Sequence, residues 1–344
     1  CIYDLLALIL RDPAAVLRIV ETLVLPRETQ ALVSDFLTYV SGNTSEVMFF
    51  AALLVMPWLM AWLTVPRLGT LYGADPHSTS LVALFGLTWG VGAILFGKGI
   101  DYLGISLSLP IMQGLINSIG TLMPIVLRDP SELATPAGLR ILAGVAVILA
   151  GIILFALAGS RKEQSEGSRQ TGAQSRSRFR KGLVICLLAG IFGPMINFAF
   201  VYGAPLQQQA VALGADPVYA GNAVWSVALT AGFLINAAEC IRLFRRNRTW
   251  KHYASRRVPG ITLAAVAGIV WYMSIMLYGM GGNRMGEAGA SVGWAVMQSV
   301  AIIAGNAAGI CSGEWRATTR HAQWPMAAGL CCLVLGVVIL SRGL

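Results

Sequence analysis

The sequence predicts an all-α polytopic membrane protein, with nine transmembrane helices from an inverted five-plus-five helix repeat that lacks its first helix. Of the 344 residues, 56% are hydrophobic and only 12% are charged, which is about half the charged fraction of a soluble domain. The charges are clustered, and the apolar windows between them have the length that a helix needs to cross a bilayer. One window also recurs later in the chain, which indicates the repeat.

Each of the nine windows is an apolar run with polar or charged residues at its ends. Window A follows the polar stretch SGNTSE, B ends at Lys98, C ends at Arg128 and D ends before Arg161. Window E follows Lys181, F ends before Arg242, and G to I are bounded in the same way. Glycine and proline inside the windows are tolerated in membrane helices. In chain order the windows are 47–65, 80–97, 105–127, 137–158, 182–202, 219–240, 260–279, 291–312 and 325–341.

The windows divide the chain into four parts. Residues 1–46 contain acidic and basic side chains that make a spanning helix costly, so we expect an amphipathic segment on the cytoplasmic side. Residues 47–158 form the first transmembrane repeat with four helices, and residues 182–344 form the second with five. Residues 159–181 form a basic cytoplasmic linker, rich in Ser, Gly and Gln, which is typical of a flexible connection.

Lysine and arginine predict the orientation, because basic loops stay on the cytoplasmic side of a membrane. Seven basic residues lie in the D to E connection and seven more in the F to G connection, two crossings away. We therefore expect a multi-pass protein of the inner (plasma) membrane, with basic loops in the cytoplasm and the C-terminus on the periplasmic or extracellular side. Topology accounts for the net charge of +9, so no nucleic-acid partner is expected.

The repeat is visible when the chain is compared with itself at an offset of 182 residues. The stretch FGLTWGVGAILFGKGIDYLG at 85–104 then lies over AGIVWYMSIMLYGMGGNRMG at 267–286, with six identities and near matches such as Phe96 with Tyr278. Windows B, C and D correspond to G, H and I. Two five-helix units would enter the membrane in opposite orientations, as in many secondary transporters. The identical pairs are Gly86 and Gly268, Trp89 and Trp271, Leu95 and Leu277, Gly97 and Gly279, Gly99 and Gly281, and Gly104 and Gly286.

Glycines and tryptophans in windows B and G have different interpretations. Small residues let membrane helices approach closely, so packing is the expected role of most glycines. Trp89 and Trp271 fall near the membrane midplane, away from the interfacial positions that tryptophan usually takes. A buried indole needs a hydrogen-bond partner or a flat ligand face, and sugar rings present such apolar faces.

Polar side chains in the other windows extend this candidate site. In C and H they fall four or seven residues apart, and therefore on one helical face, while Asn197 in E follows Pro194. Amides and hydroxyls beside aromatic rings suit a neutral polyol, although an interhelical hydrogen bond is the alternative role of each amide. Gln207–Gln209 fall in the E to F loop, where solvation is expected. The predicted substrate-binding residues are Trp89, Gln113, Asn117, Asn197, Asn222, Trp225, Trp271, Trp294, Gln298 and Asn306.

Few residues could carry a coupled proton. Glu239, near the cytoplasmic end of F and beside Arg242, is the preferred candidate, and Asp101 and Glu287 lie in short turns. Each could instead be a solvated or ion-paired residue at a helix end. The three histidines fall in loops without ligand spacing, and no phosphate-binding loop is present. We therefore expect no metal and no cofactor.

Several motifs together resemble the L-rhamnose/proton symporter family of the drug/metabolite transporter superfamily, from about residue 47 to the C-terminus. The resemblance implies ten spanning helices, the first followed by a basic loop, and the chain departs from it over residues 1–46. The motifs are FGLTWGVG at 85–92, LGISL at 103–107, GLINSIGTLMP at 114–124, AGIFGPMINFAF at 189–200, ALGADPVYAGNAVW at 212–225, GIVWYM at 268–273 and GNAAGICSGEW at 305–315.

The resemblance implies a secondary active transporter that imports a deoxy sugar, L-rhamnose, with protons by alternating access. Its expected partners are the sugar, protons and the lipid bilayer. One alternative is a transporter of another monosaccharide or small metabolite in the same superfamily. The other is a polytopic membrane enzyme acting on lipid-linked sugars, which should carry a carboxylate pair, a histidine cluster or a metal-binding set.

Overall fold

The computed structural model describes residues 50–103, 105–128, 130–165, 173–247, 258–286, 289–311 and 320–341. These residues contain twelve α-helices and no β-strand. A π-helical turn at Ala51–Val55 precedes the first helix, and a 3-10 helix at Pro130–Ala134 precedes the fifth. The helices are α1 Met56–Thr64, α2 Leu68–Ala74, α3 Pro76–Leu103, α4 Ile105–Arg128, α5 Pro136–Ser165, α6 Ala173–Phe192, α7 Met195–Tyr202, α8 Ala204–Ala212, α9 Asn222–Asn247, α10 Val258–Arg284, α11 Gly289–Cys311 and α12 Arg320–Ser341.

The number of candidate membrane spans is lower than the nine windows. Within the described residues, six helical segments are long and apolar enough to cross a bilayer, and the bent pair Ala51–Thr64 and Leu68–Ala74 makes a possible seventh. Windows C and H coincide with shorter apolar stretches, Ile111–Leu127 and Gly289–Ile303. The structure thus supports an all-helical membrane protein with six to seven candidate spans, and the count of nine stays a prediction.

Window A was predicted as one straight helix, but the chain bends by 98° between α1 and α2. Val65 is extended, as expected for a residue before proline, and Arg67 has a left-handed backbone with φ of 54°. The next helix, α3, begins at a cap in which the Ser78 amide donates to Asp75 Oδ1 at 2.9 Å. Hydrogen bonds from Ser78 hold the pKa of the Asp75 carboxyl below its ordinary value.

Window E continues beyond its predicted end. The helical run from Ser177 to Ala212 counts as one 36-residue span, interrupted where Gly193 and Pro194 separate α6 from α7. Gln207–Gln209 were predicted to lie in a loop, but they belong to helix α8. This helix has a proline in its first turn, where the backbone N–H groups have no acceptor within the helix, so the missing amide hydrogen costs no hydrogen bond.

Helices also extend into the predicted linker. Helix α5 runs to Ser165 and α6 begins at Ala173, while residues 166–172 lie outside the described part of the chain. Arginine, lysine, glutamine and glutamate favour helix at an aqueous membrane face, which accounts for the extension. The division into two repeats is a prediction that these bounds do not decide.

Glycine contacts hold several helix pairs together. A Cβ added at Gly86 would lie 2.1 Å from the Ala228 carbonyl oxygen, so α3 and α9 approach at backbone distance. Helices α5 and α12 pack antiparallel, because Gly144 lies against Gly336 while Gly151 lies against Gly329. Gly97 has no neighbour within 4 Å of an added Cβ in the part of the chain that the structure describes. The packing role predicted for the glycines therefore holds at some positions only.

Candidate functional site

A cavity of about 590 Å³ lies between α3, α4, α7, α10 and α11, reaching Gly193 at the break after α6. This volume is in the range of small-molecule sites in proteins. We call it the central cavity. Half of the ten predicted substrate-binding residues line it, namely Trp89, Gln113, Trp271, Trp294 and Gln298.

Two tryptophans form one wall of the central cavity. The rings of Trp89 and Trp271 stack, with centroids 6.0 Å apart and an interplanar angle of 26°. Both side chains are buried, and the edge of Trp89 packs on Gly232, where an added Cβ would lie 2.7 Å from Trp89 Cε3. The two residues that the sequence pairs at an offset of 182 are therefore in contact, and their rings offer an apolar surface.

Two glutamines supply polar groups to the same cavity. Gln298 Nε2 donates to Gln113 Oε1 at 3.2 Å, which joins α11 to α4. A primary amide has two donor hydrogens and an acceptor oxygen, so this bond uses only part of each amide. Both side chains are partly buried. The pair therefore offers donors and acceptors to a ligand between the tryptophan wall and α11.

Trp294 also lines the cavity, and its indole is held by a hydrogen bond and ring packing. Its Nε1 donates to the Ile116 carbonyl at 3.1 Å, and its ring meets that of Tyr278 edge-on at 5.6 Å. An added Cβ at Gly120 would lie 2.2 Å from Trp294 Nε1. The indole N–H is thus satisfied by the backbone, which leaves the ring as the part that a ligand can contact.

Asn197 is completely buried and forms hydrogen bonds to neighbouring helices. Its Nδ2 donates to the carbonyls of Gly120 at 2.8 Å and Ala290 at 3.0 Å. Its Oδ1 accepts a hydrogen bond from the Tyr278 hydroxyl, and the Ala290 carbonyl, 3.2 Å from the same hydroxyl, is an alternative acceptor for its one hydrogen. The residue joins α7 to α4, α10 and α11, so the structure places it in the interhelical role that was the alternative for each amide.

Asn117 is buried beside the cavity and is not among its lining residues. Its Oδ1 accepts a hydrogen bond from Thr121 at 3.3 Å, while its Nδ2 has no hydrogen-bond partner among the residues that the structure describes. The hydroxyl of Ser299, which follows Asn117 by 182 residues, is buried and unpartnered in the same way. A polar atom in this state destabilises a fold by about 1–3 kcal/mol.

The predicted residues at the start of α9, Asn222 and Trp225, are not among the lining residues of the central cavity. Asn222 donates to Thr64 Oγ1 at 3.0 Å and accepts from the Tyr272 hydroxyl at 3.1 Å, which ties α9 to α1 and α10. Trp225 stacks on Phe200 with centroids 5.0 Å apart. The side chain of Asn306 lies outside the described part of the structure.

Glu239 takes part in an ion-pair cluster at the cytoplasmic end predicted for α9. Its carboxylate accepts two hydrogen bonds from Arg242, at 2.6 and 2.7 Å, and lies 3.3 Å from Lys98 Nζ of α3. Asp101 is exposed, and Glu287 lies outside the described residues. The cluster links α3 to α9 at the end of both helices.

Sequence reasoning did not identify Tyr278 as a site residue, although it lines the cavity and holds Asn197. A signal was present, because Tyr278 follows the cavity residue Phe96 by the same 182 positions as the tryptophan pair. Ser274 was also missed; it lines the cavity one helical turn after Trp271, and an isolated serine in an apolar helix carries no distinctive pattern.

The lining residues of the central cavity are aromatic, aliphatic, amide and hydroxyl side chains with glycines, and none of those described is an acid, a base or a histidine. Binding of a small neutral molecule by apolar faces and hydrogen bonds fits this composition. The fold and the site define a multi-helix membrane protein with a ligand-sized cavity among its helices, the architecture of a solute transporter.

Comparison with known proteins gives the family. The family described as L-rhamnose-proton symport protein (RhaT) matches residues 19–344, so the chain belongs to this family, which consists of transporters and not enzymes. The L-rhamnose-proton symporter of Cronobacter sakazakii (strain ATCC BAA-894) is 30% identical over 301 residues, covering 85% of this chain and 86% of that protein. Its counterpart in Yersinia pestis (strain Pestoides F) is 28% identical over 303 residues, with the same coverage. No solved structure matches the chain significantly.

Membership in this family, together with the apolar helices, makes the chain a multi-pass inner-membrane protein. It also removes the polytopic membrane enzyme from the functions that the sequence left open.

Proposed function

We propose that this protein is a secondary transporter that imports a deoxy sugar, L-rhamnose, together with protons by alternating access. The main structural support for this proposal is the central cavity. It combines stacked tryptophans with a pair of glutamines, and no charged group is among its described lining residues. Indole faces pack on the apolar faces of a sugar ring, and amides bond its hydroxyls. The names of the relatives supply the choice of sugar.

An inverted repeat would provide the mechanism. Helices α4 and α11 run antiparallel, since Ile116 bonds Trp294 while Gln113 bonds Gln298. Helices α5 and α12 are antiparallel by their glycine contacts, and α3 and α9 are parallel. All these directions agree with the predicted order of crossings. Contact between Trp89 and Trp271, which occupy equivalent positions, is what a pseudo-twofold axis passing between α3 and α10 would produce.

The proposed repeat also predicts a further helix on one side of the cavity. Helix α6 packs on α3, where an added Cβ at Gly99 would lie 2.9 Å from Cys186 Sγ. Among the described residues, an added Cβ at the equivalent Gly281 on α10 would have no neighbour within 4 Å, and Leu277 and Val300 beside the cavity are 59% and 52% exposed. A helix equivalent to α6 would therefore cover the cleft between α10 and α11.

We propose Glu239 as the proton-coupling residue. Lys98 belongs to the first predicted repeat, and Glu239 and Arg242 belong to the second, so their ion pairs join the two units at one membrane face. Protonation of the carboxylate would remove its charge and weaken the link to Lys98. Arrival of a proton would in this way change the contact between the units.

Uptake of labelled L-rhamnose into proteoliposomes tests the proposal. We expect uptake to accelerate when the outside is made acidic, and external pH to rise when L-rhamnose is added to cells that carry the protein. Uptake that does not respond to the pH gradient would contradict proton coupling. A response to another monosaccharide and none to L-rhamnose would favour the alternative substrate.

Site variants connect this activity to the central cavity. Trp89→Ala and Gln298→Ala should each reduce uptake at least tenfold while the protein is still inserted in the membrane. Ser80→Ala is a matched control, because Ser80 lies on α3 like Trp89 and bonds only the carbonyl of Pro76 in its own helix. Normal uptake in both cavity variants would show that the sugar binds elsewhere. Asn197 and Asn117, which lie behind the lining residues, are proposed to position the cavity walls.

A further inference from the structure

A second cavity, of about 410 Å³, lies beyond the central cavity and is lined by α7, α8, α10, the first turn of α11 and the loop at 217–220. We call it the outer cavity. Its lining includes the ring of Phe200 and the amides of Gln207, Gln208 and Asn283. Gly282 lines both cavities, so they lie on either side of one thin partition.

The partition consists of aromatic rings held by hydrogen bonds. Phe200 packs on Tyr278 with ring centroids 5.4 Å apart, and the Tyr278 hydroxyl donates to Asn197 Oδ1. An added Cβ at Gly282 would lie 3.2 Å from the Phe200 ring, so the backbone of α10 closes against it. In this conformation a molecule in the outer cavity is separated from the central cavity.

The outer cavity has the chemistry of a site for a neutral polyol. Gln207 donates from Nε2 to the Phe200 carbonyl at 3.1 Å, and Asn283 donates from Nδ2 to the Pro217 carbonyl at 2.9 Å. Both amides are thereby oriented by the backbone, while their oxygens keep capacity to accept from hydroxyl groups. The described lining residues carry no formal charge. An aromatic ring beside oriented amides suits a sugar and offers no counter-charge to an ionic solute.

The outer cavity lies at the membrane face opposite the basic helix ends. Lys98 pairs with Glu239, and Arg178 donates to the Asp101 carbonyl at 3.0 Å, which gathers the basic ends of α3, α6 and α9 on one side. The segments that line the outer cavity follow α6 and precede α9, at the other ends of these helices. With basic ends cytoplasmic, the outer cavity faces the external side.

We propose that the outer cavity is a second binding site for the transported neutral sugar, occupied from outside and independent of the central cavity. The proposal rests on the proposed function for the class of ligand. A sugar would bind the amides of Gln207, Gln208 and Asn283 beside Phe200, and would pass to the central cavity only when the partition at Tyr278 opens.

Protection of an engineered thiol tests this site. Gln208→Cys places a thiol in the outer cavity. Its rate of modification by a membrane-impermeant thiol reagent is measured with and without saturating L-rhamnose. The chain without the substitution gives the background labelling. The measurement is repeated in a Gln298→Ala background, in which the central site binds at least tenfold more weakly, and the L-rhamnose concentration that gives half-maximal protection is compared between the two backgrounds. Glu132→Cys, exposed and in the 3-10 helix before α5, is the control position. Val211→Cys, in the same cavity lining, replaces Gln208→Cys should that variant not be inserted.

We expect L-rhamnose to slow labelling in the outer cavity by at least threefold in both backgrounds and to leave the control position unchanged. A half-maximal concentration that rises at least tenfold with Gln298→Ala, in parallel with the KM for uptake, would show that one central site accounts for all binding, and would overturn the proposal. Absence of protection in a chain that takes up L-rhamnose normally would overturn it as well. Failure of the proposed function is visible separately, as absence of L-rhamnose uptake by the native chain.

Discussion

Tyr278→Phe removes the single hydroxyl that closes the partition between the two cavities. The ring keeps its contacts with Phe200 and Trp294, so packing changes little. The variant loses the hydrogen bond that the Tyr278 hydroxyl donates to Asn197 Oδ1, while the Ala290 carbonyl still accepts from Asn197 Nδ2. A hydrogen bond between membrane helices contributes about 0.6 kcal/mol on average and about 1.7 kcal/mol at most, and a buried acceptor left unpaired adds about 1–3 kcal/mol. The closed partition should therefore be weakened by about 2 kcal/mol.

A change of about 1.4 kcal/mol shifts an equilibrium tenfold, so we expect external access to the central cavity to rise at least tenfold. The assay measures modification of Ser274→Cys, whose position lines the central cavity, by an impermeant thiol reagent added outside. Tyr272→Phe is the matched control, since it removes a hydroxyl of α10 that donates to Asn222 away from both cavities. Equal labelling rates with and without Tyr278→Phe would refute the reasoning, and so would an equal rise in Tyr272→Phe.

Three further predictions concern binding, coupling and packing. Gln298→Ala should raise the KM for sugar uptake at least tenfold through loss of its amide bonds, and an unchanged KM would exclude this amide from the site. Glu239→Gln, which cannot ionise, should abolish sugar-induced alkalinisation while sugar exchange across the membrane continues; persisting alkalinisation would place coupling elsewhere. Gly86→Ala should lower the melting temperature in detergent, because its Cβ would lie 2.1 Å from the Ala228 carbonyl oxygen and overpacking destabilises by about 1–3 kcal/mol. Gly97→Ala, with open space around it, is the control, and equal melting temperatures would contradict the packing argument.

The candidate site was predictable in part because its two tryptophans carry the internal offset. Trp89 and Trp271 stand out in apolar helices at equivalent positions, and the structure places both rings in the wall of one cavity. The predicted amide side chains fall into two groups in the structure. Gln113 and Gln298 reach the cavity, whereas Asn197 and Asn222 bond neighbouring helices. Helical spacing tells which residues share a face, but it does not tell which neighbour that face meets.

The outer cavity is a second feature that helical spacing in the sequence could not predict. Gln207 and Gln208 were expected to be solvated in a loop, yet they lie on α8 and line a cavity with Asn283, which is 75 positions further on than Gln208. No local pattern joins residues so far apart. Their position around one cavity depends on the break at Gly193 and Pro194 and on the fold of the chain after α7.

By itself, the sequence determined that the bilayer is the solvent of this chain, because the balance of apolar and charged residues along the chain controls insertion into a membrane. It also determined that the chain is helical and that Trp89 and Trp271 occupy equivalent positions in two similar stretches. Only the tertiary structure decided which polar groups face a cavity and which satisfy one another, and where the partition between the cavities lies. These outcomes depend on distances of a few ångströms between helices that are remote in sequence, and hydrogen bonds and close packing form only at such distances.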